Sequence, residues 1–279
     1  MTITEPVALY DLDEVEYHAD RLLPERSLSS TMAKTIISPG GPARLREIML
    51  NGQPRKPEWD FGSAAHQRIL GRGQPVIAIE GDRRKKDVRD AITKAETAGS
   101  LVVKPEELES IERMAAAILD HPLAAELLTA GQGKPEVSMF GLDQATGRWL
   151  RGRLDFLHSR QLIVDYKTTA SANPGDFERS AWNFGYHIQA AHYLNLAYAL
   201  DLVDPGAEYL LVAQEKRPPY LPHVYRISDE LLDHGHRDVA RAVALWDRCM
   251  SLDDWPGLPH EPTTLTPPRW ATLTEREDA

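Results

Sequence analysis

The chain has 279 residues and a formal net charge of −10, and its isoelectric point is near 5.5. This length suits one large domain, or a core with appendages, that buries a substantial hydrophobic core. No apolar run reaches the roughly 18 residues of a membrane-spanning helix. The single cysteine, Cys249, excludes an intramolecular disulfide and a four-cysteine iron–sulfur cluster. The acidic N-terminus lacks an apolar signal core, so we expect a cytoplasmic protein without a membrane partner.

The composition divides the chain into three expected parts. Residues 1–26 have the composition of a weakly ordered leader with a short strand or helix, residues 27–250 form the main domain, and residues 251–279 form a proline-rich tail. Five prolines beyond Asp253 predict that this tail is extended and free to pack on a neighbouring molecule.

Apolar periodicity and turn residues predict the helices and strands of an α/β fold with a central mixed sheet flanked by helices. Ser228 is the expected N-cap of the last helix. The predicted helices lie at about 30–38, 42–51, 60–71, 85–98, 105–128, 176–202 and 228–250. The predicted strands lie at about 76–81, 136–140, 149–157, 162–168, 207–216 and 223–227.

Two neighbouring predicted strands carry two aspartates and a lysine in a spacing typical of metal-dependent phosphodiester hydrolases. Asp155 lies on the first strand, and Asp165 and Lys167 share one face of the second because side chains alternate along a strand. Mg²⁺ prefers such carboxylate oxygens, and an adjacent ammonium would stabilise charge on a phosphate under attack. A structural ion pair between Asp165 and Lys167 at a strand end is the alternative interpretation.

Two predicted helices add further candidates. His66 follows small residues at helical spacing and could reach a metal, or it could be a buried histidine bonded to a backbone carbonyl. Tyr186, Gln189 and Tyr193 lie on one helix face, for which a buried aromatic stripe is the usual explanation.

Taken in chain order, these residues resemble the motifs of RecB-like nucleases of the PD-(D/E)XK superfamily. The matching motifs are Gly-X-X-X-His-X-X-X-Leu at 62–70, Gly-Arg-X-Asp at 152–155, Asp-Tyr-Lys-Thr at 165–168 and Gln-X-X-X-Tyr at 189–193. The run from Leu28 to Lys34, followed by Ser38-Pro39, is similar to the N-terminal motif of the RecE (exonuclease VIII) branch. The resemblance covers roughly residues 17–248 and implies a restriction-endonuclease-like core.

The resemblance also implies roles for the matching residues. Lys167 would be the catalytic lysine, and Glu136 would act in catalysis by orienting water or by helping to hold a second metal. The implied ligands of Mg²⁺ or Mn²⁺ are the side chains of His66, Asp155 and Asp165 and the backbone carbonyl of Tyr166. The residues expected to contact DNA are Ser29, Ser30, Lys34, Gln189 and Tyr193, although the last two could instead brace the site. Of these, Ser29, Ser30 and Lys34 could bind a terminal phosphate, whereas Ser29 or Ser30 could instead be a helix N-cap.

The net charge argues against tight nucleic-acid binding, because affinity for DNA comes largely from neutralised phosphates. Local positive charge exists in the run Arg83 to Lys86, which could equally be a solvated surface. Arg151 and Arg153 alternate onto the strand face that carries Asp155 and are expected to bind DNA beside the metal.

A RecE-like nuclease would be a metal-dependent exonuclease that acts from the ends of linear double-stranded DNA, 5′ to 3′, and generates single strands for recombination. Its implied partners are double-stranded DNA ends, a single-strand annealing protein and further copies of the chain in a ring. Two alternatives remain open: a PD-(D/E)XK endonuclease, and a non-catalytic DNA-binding recombination accessory protein.

Overall fold

A mixed sheet forms the centre of the protein in a computed structural model that describes residues 2–52, 57–129 and 133–267. Its strands are β1 (Val7–Leu9), β2 (Leu28–Ser29), β5 (Lys134–Leu142), β6 (Trp149–Ser159), β7 (Leu162–Thr169), β8 (Glu208–Glu215) and β9 (Pro222–Arg226). They run in the order β1-β5-β6-β7-β8-β9, and β2 pairs with β6. The pairs β2–β6 and β7–β8 are parallel and the other pairs are antiparallel. A separate parallel pair joins β3 (Val76–Ala78) to β4 (Leu101–Val103).

Helices cover both faces of this sheet. They are α1 (Glu14–Ala19), α2 (Ser30–Ile36), α3 (Gly41–Asn51), α4 (Pro57–Leu70), α5 (Lys86–Thr97), α6 (Pro105–Asp120), α7 (Pro122–Leu128), α8 (Pro174–Asn183), α9 (Tyr186–Ala199) and α10 (Asp229–Leu252). The architecture confirms the predicted α/β fold with a central mixed sheet flanked by helices. Within the described ranges, no helix combines the length and the apolar character that a bilayer-spanning segment needs.

Alternation along the central strands builds a separate core on each face. Ile163 and Leu211 point toward α2, α9 and α10, whereas Val164 and Val212 point toward α4, α6 and α7. Such double burial explains why β7 and β8 are almost continuously apolar, as parallel pairs covered on both faces usually are. It also makes a polar residue within them, such as Asp165, conspicuous.

Strands β6 and β7 pair over only part of their length. Their register runs from Ser159 and Leu162 to Phe156 and Val164. Beyond that point β6 pairs with β2 on the side that β7 has left. The two strands therefore separate at Asp155, and the amide of Tyr166 donates to Asp155 Oδ2 at 2.9 Å. This fork in the sheet creates the space for the site.

Residues 2–26, expected to be a weakly ordered leader, form β1 and α1 and pack against the sheet. Strand β1 pairs with β5. A small third core lies beneath, and its buried members are Ile3, Tyr17, Leu22, Leu23, Phe140 and Trp149. The segment extends the sheet at its β5 edge and brings Tyr17 toward the fork.

The proline-rich tail begins by packing on the chain's own helix α3. The amide of Ala43 donates to the carbonyl of Pro256 at 3.2 Å, and Arg46 lies over the ring of Trp255 and pairs with Asp253. Residues 268–279 of the predicted tail lie outside the described residues.

Two predicted helices are each divided in two. The helix expected at 105–128 breaks at His121, where Pro122 starts α7, because proline cannot continue the hydrogen bonds of the preceding helix. The helix expected at 176–202 breaks at Gly185, whose φ of 64° lies in the left-handed region. This second break matters for function because it separates the turn at Phe184 from the helix that carries Gln189.

Candidate active site

Three elements bring a histidine and two carboxylates together at the fork. His66 comes from α4, Glu136 from β5 and Asp155 from β6, and one ligand atom of each lies within 4.8 Å of the others. His66 Nδ1 is 3.6 Å from Asp155 Oδ2. Glu136 and Asp155 lie between the paired residues on either side of them in the β5–β6 register, and Glu136 has a φ of 56° that is unusual for a glutamate. Such backbone strain is found preferentially at functional sites.

The structure places Asp165 behind this group. Its side chain is fully buried, and its Oδ1 accepts hydrogen bonds from Gln189 Nε2 at 2.8 Å and from the Tyr209 hydroxyl at 3.0 Å. Its Oδ2 pairs with Lys167 Nζ at 2.5 Å. Of the two predicted carboxylate ligands, Asp155 thus belongs to the group of three, whereas Asp165 is held by Lys167 and its two hydrogen-bond donors.

Burial and mutual repulsion set the protonation of the group. Burial raises the pKa of Asp155 well above its usual value, and the nearby Asp165 raises it further. Burial also raises the pKa of Glu136, against the opposing effect of Arg153. Burial, and then the charge of Lys167, lowers the pKa of His66 to about 4, so the imidazole is neutral and free to act as a ligand.

Lys167 keeps its charge in the same surroundings. Burial alone would lower the pKa of Lys167, but the carboxylates of Asp165 and Asp155 outweigh burial and raise the pKa above its usual value. The ammonium also lies 5.2 Å from the centre of the Tyr186 ring, a distance at which cation–π attraction operates. A permanent positive charge therefore stands beside the three possible ligands.

The donor set fits a divalent cation. Two carboxylates and a neutral imidazole are ligands that Mn²⁺ accepts readily, and the carboxylates also suit Mg²⁺. A cation here would offset the repulsion that raises the pKa of Asp155. Tyr166, whose carbonyl was expected to be a further ligand, lies at the site, because His66 forms a hydrogen bond with its backbone.

A cavity of about 1170 Å³ opens onto the group. This volume exceeds the few hundred to about 1,000 Å³ of most small-molecule sites. The cavity wall includes His66, Glu136, Asp155 and Lys167, and the N-terminal segment adds Glu14 and Tyr17 among others. The predicted DNA contacts Ser29, Ser30, Arg151, Arg153 and Tyr193 also line it.

Arg151 and Arg153 face this cavity in ion pairs. Arg153 donates to Glu136 Oε2 at 2.5 Å and to Ser138 Oγ at 2.6 Å. Arg151 pairs with Asp20 and donates to Ser27 Oγ at 3.0 Å. The positive charge expected beside the metal ligands is thus already balanced by carboxylates of the chain itself.

The remaining predicted DNA contacts form the wall next to these arginines, since Ser29 aligns with Arg151 in the β2–β6 register. Ser29 is the N-cap of α2, because its Oγ accepts from the amide of Met32 at 3.3 Å. Ser30 forms a hydrogen bond with Tyr193. A Cβ on Gly152 would lie 3.0 Å from the Tyr193 ring. The glycine of the Gly-Arg-X-Asp motif therefore permits the close approach of this tyrosine.

Lys34 connects this wall to the buried carboxylate. Its Nζ donates to Gln189 Oε1 at 3.4 Å, and Gln189 in turn donates to Asp165. Burial, and then repulsion from Lys167, lowers the pKa of Lys34 to about 7. The residues predicted at 34, 165, 167 and 189 thus form one connected chain of polar contacts.

Tyr209 and Asp20 belong to the site but were not predicted from the sequence. Tyr209 bonds Asp165 from the parallel neighbour strand β8, and Asp20 neutralises Arg151 from the N-terminal segment. Tyr209 aligns with Ile163 in the register, but a parallel pairing between strands so far apart in sequence leaves no local pattern. Only the turn-like composition around Asp20 could have drawn attention to it.

The chain matches one family model and is similar to solved structures of other proteins. A family model described as a PDDEXK-like domain of unknown function (DUF3799) matches residues 54–261. A solved structure from Eubacterium rectale described as a "putative exonuclease" is similar over 95% of this chain and 99% of that chain, at 15% identity and a TM-score of 0.63. A phage-related exonuclease from Haemophilus somnus 129PT is similar over 82% of this chain and 96% of that chain, at 15% identity and a TM-score of 0.34.

No curated protein matches the chain. At this identity the first structural similarity shows the fold. The family match confirms the PD-(D/E)XK-like domain predicted from the motifs, while the RecE branch stays a prediction. The chain therefore belongs to the PDDEXK-like family of unknown function.

Proposed function

We propose that this protein is a metal-dependent exonuclease that hydrolyses phosphodiester bonds from the ends of linear double-stranded DNA, 5′ to 3′. The observation that carries the proposal is the meeting of His66, Glu136, Asp155 and Lys167 in one cavity. Two carboxylates and a neutral imidazole can hold a metal for phosphodiester hydrolysis, and a charged lysine can stabilise the transition state.

In this mechanism His66, Glu136 and Asp155 would hold Mg²⁺ or Mn²⁺, with Asp165 and the Tyr166 carbonyl as further predicted ligands. The ion would supply a water of lowered pKa and neutralise charge on the scissile phosphate. Lys167 Nζ stays protonated and stabilises the negative charge that develops on the phosphate oxygens. Asp165, fixed by Gln189 and Tyr209, holds this ammonium in position.

The walls of the cavity support entry of a DNA end. Side chains from the N-terminal segment, from α3 and from α4 surround the group, including Tyr17, Ile48 and Ser63. A strand that arrives by its end can be inserted between such walls, whereas an intact duplex would have to fit across them. The "putative exonuclease" similar over nearly the whole chain is consistent with this interpretation.

The test is digestion of end-labelled linear DNA and of covalently closed circular DNA in Mg²⁺ or Mn²⁺. We expect the linear DNA to lose label from its 5′ end and the circle to stay intact. Cleavage of the circle would show that the protein is an endonuclease instead. Loss of the 3′ label before the 5′ label would show that digestion runs 3′ to 5′.

Lys167→Ala should reduce turnover by about a hundredfold or more, because it removes the charge that stabilises the transition state. Lys104→Ala is the matched control, since Lys104 is an exposed lysine next to Glu106 and outside the cavity lining. Equal activity in the two variants would exclude Lys167 as the catalytic lysine.

The RecE-like part of the proposal adds a role in recombination, a single-strand annealing protein as partner and a ring of identical subunits. Sizing in solution tests the ring, and a monomer at all concentrations would count against it. Co-purification with an annealing protein encoded beside this chain would support the partner.

A further inference from the structure

Two large aromatic side chains are exposed at the turn that separates α8 from α9. Trp182 is 52% exposed and Phe184 is 62% exposed. One face of Trp182 stacks on the ring of His187 at 4.7 Å between centroids. The turn is fixed by Gly185 in the left-handed conformation, where the side chain of Lys34 packs close to its backbone. Two exposed aromatic rings this close together in sequence offer ring faces to a ligand.

The ring of Phe184 leads toward the active site. The Phe184 ring stacks beside Tyr186 at 5.9 Å with an interplanar angle of 27°. Tyr186 lines the cavity, and its ring centre lies 5.2 Å from Lys167 Nζ and 5.7 Å from Lys34 Nζ. An aromatic path thus runs from the surface to the catalytic lysine, with the side chains of Lys167 and Lys34 at its inner end.

We propose that Phe184, backed by Tyr186, stacks on an unpaired base of the substrate strand while the adjoining phosphate lies beside Lys167. Aromatic faces next to cations are the arrangement by which proteins hold single-stranded nucleic acid, because every base offers a ring face and every link a negative charge. A protein partner would use the rings but would have no evident need for the two lysines. The inference rests on the proposed function and specifies that the DNA end carries an unpaired base.

The stacking site has a consequence for substrate choice. A base can lie on Phe184 only after it has left the duplex, and leaving costs stacking and pairing energy. In a duplex with a short single-stranded tail, the bases of the tail are unpaired before binding, so this cost does not arise. DNA with such a tail should therefore bind more tightly than DNA with a blunt end.

The experiment measures binding of DNA by fluorescence anisotropy, with Ca²⁺ in place of Mg²⁺ to limit turnover. One duplex has a blunt end, and the other carries a short tail with 2-aminopurine as the unpaired base. We expect Phe184→Ala to weaken binding of the tailed duplex by about tenfold or more. The quenching of 2-aminopurine should fall in the same variant, whereas binding of the blunt duplex should change much less.

Two matched variants separate stacking from other effects. Phe184→Tyr keeps the ring and should restore both affinity and quenching. Tyr198→Ala removes a similarly exposed ring, 58% accessible, near the other end of α9. That position is about 18 Å along the helix from Tyr186, so binding should not change. Thermal unfolding of each variant checks that the exposed substitutions leave the fold intact.

The outcomes distinguish this inference from the proposed function. If the wild type digests linear DNA in Mg²⁺ but Phe184→Ala binds the tailed duplex normally, the stacking site is wrong and the nuclease stands. If quenching depends on Phe184 but the wild type digests no DNA, the stacking site stands and the exonuclease is wrong. Equal losses on tailed and blunt DNA would overturn base stacking, and failure of the wild type to bind either DNA would overturn both.

Discussion

Asp165 is a carboxylate in the core, and its contacts explain how it is tolerated there. It accepts hydrogen bonds from Gln189 and Tyr209 and pairs with Lys167. A buried charge without partners costs several kcal/mol. The three donors offset this cost, and the Asp165 carboxylate can therefore be buried. They also fix the direction of the carboxylate before any ligand arrives.

Tyr209→Phe removes one of these donors and leaves the ring in place. We expect the free energy of unfolding to fall by about 1.5–3 kcal/mol, the range for a hydrogen bond to a charged group. Urea unfolding measures this change, and turnover should fall as Lys167 loses its fixed neighbour. Tyr198→Phe, an exposed tyrosine on α9, is the control and should unfold like the wild type. If Tyr209→Phe matches that control, the hydroxyl does not support Asp165.

His192 gives a residue-scale prediction of acid sensitivity. It is buried, its Nε2 contacts the carbonyl of Arg151 at 2.9 Å, and burial lowers its pKa to about 4. The unfolded histidine, with a pKa near 6.5, takes up a proton first, so its contribution to stability is complete above about pH 6.5 and is lost as the pH falls toward 4. Within this window the loss is about 1.4 kcal/mol per pH unit at most.

The measurement compares urea unfolding at about pH 7.5 and about pH 5. His192→Gln should reduce the loss of stability between these two pH values, because the variant has no imidazole at this position to protonate. His66 titrates in the same sense and keeps part of the effect in the variant. His260→Gln, at an exposed position, should retain the full loss. An unchanged pH dependence in His192→Gln would show that this histidine is not held neutral.

At the scale of elements, the site lies where three of them meet. Helix α4 supplies His66 from one side of the sheet, and strands β5 and β6 supply Glu136 and Asp155. A cation bound to all three would join the helix to the strands, and its binding free energy would add to the stability of the folded state.

Mn²⁺ should therefore raise the unfolding temperature. His66→Ala should increase the Mn²⁺ concentration needed for the same rise by about tenfold or more. The gain should be smaller at about pH 5 than at about pH 8, because protons compete for Asp155, whose pKa is raised. Thermal unfolding across a Mn²⁺ titration measures both effects. His223→Ala, on β9 and exposed, is the control. A response that survives His66→Ala would place the ion elsewhere.

The sequence predicted the elements with long periodic patterns and missed those that depend on distant partners. The β6–β7 hairpin, the β8–β9 hairpin and α10 lie close to their expected limits. Strand alternation predicted that Asp165 and Lys167 share one face of β7, where they form an ion pair. Strand β4 has only three residues and pairs in parallel with β3 across α5, so no local pattern marks it. The bond from Tyr209 to Asp165 and the pair of Asp20 with Arg151 are long-range in the same way.

At the scale of the whole molecule, carboxylates of this acidic chain pair with most of the described arginines that line the cavity. Arg151 and Arg153, which line it, are paired with Asp20 and Glu136. Few counterions would therefore be released from the DNA by these arginines. Attraction for the phosphates at the site would depend mainly on the bound cation and on Lys167.

DNA binding should accordingly respond weakly to monovalent salt and strongly to divalent ions. We expect the slope of log K against log salt to be about −2 or shallower, which corresponds to about two neutralised phosphates. Removing divalent ions with EDTA should weaken binding by about tenfold or more. Anisotropy titrations over a range of KCl concentrations give the slope. A steep slope that EDTA leaves unchanged would indicate a basic surface elsewhere, for which the exposed run Arg83 to Lys86 is the first candidate.

The pairing of β1 with β5 also orders events during synthesis. Val7 aligns with Phe140, so the first strand leaves the ribosome long before its partner exists. Until then Ile3, Tyr17, Leu22 and Leu23 have no Phe140 or Trp149 to pack against. Contacts this distant in sequence close late in folding. The wall that Tyr17 forms is therefore not completed until Phe140 and Trp149 have emerged, shortly before Asp155 supplies the last of the three possible metal ligands.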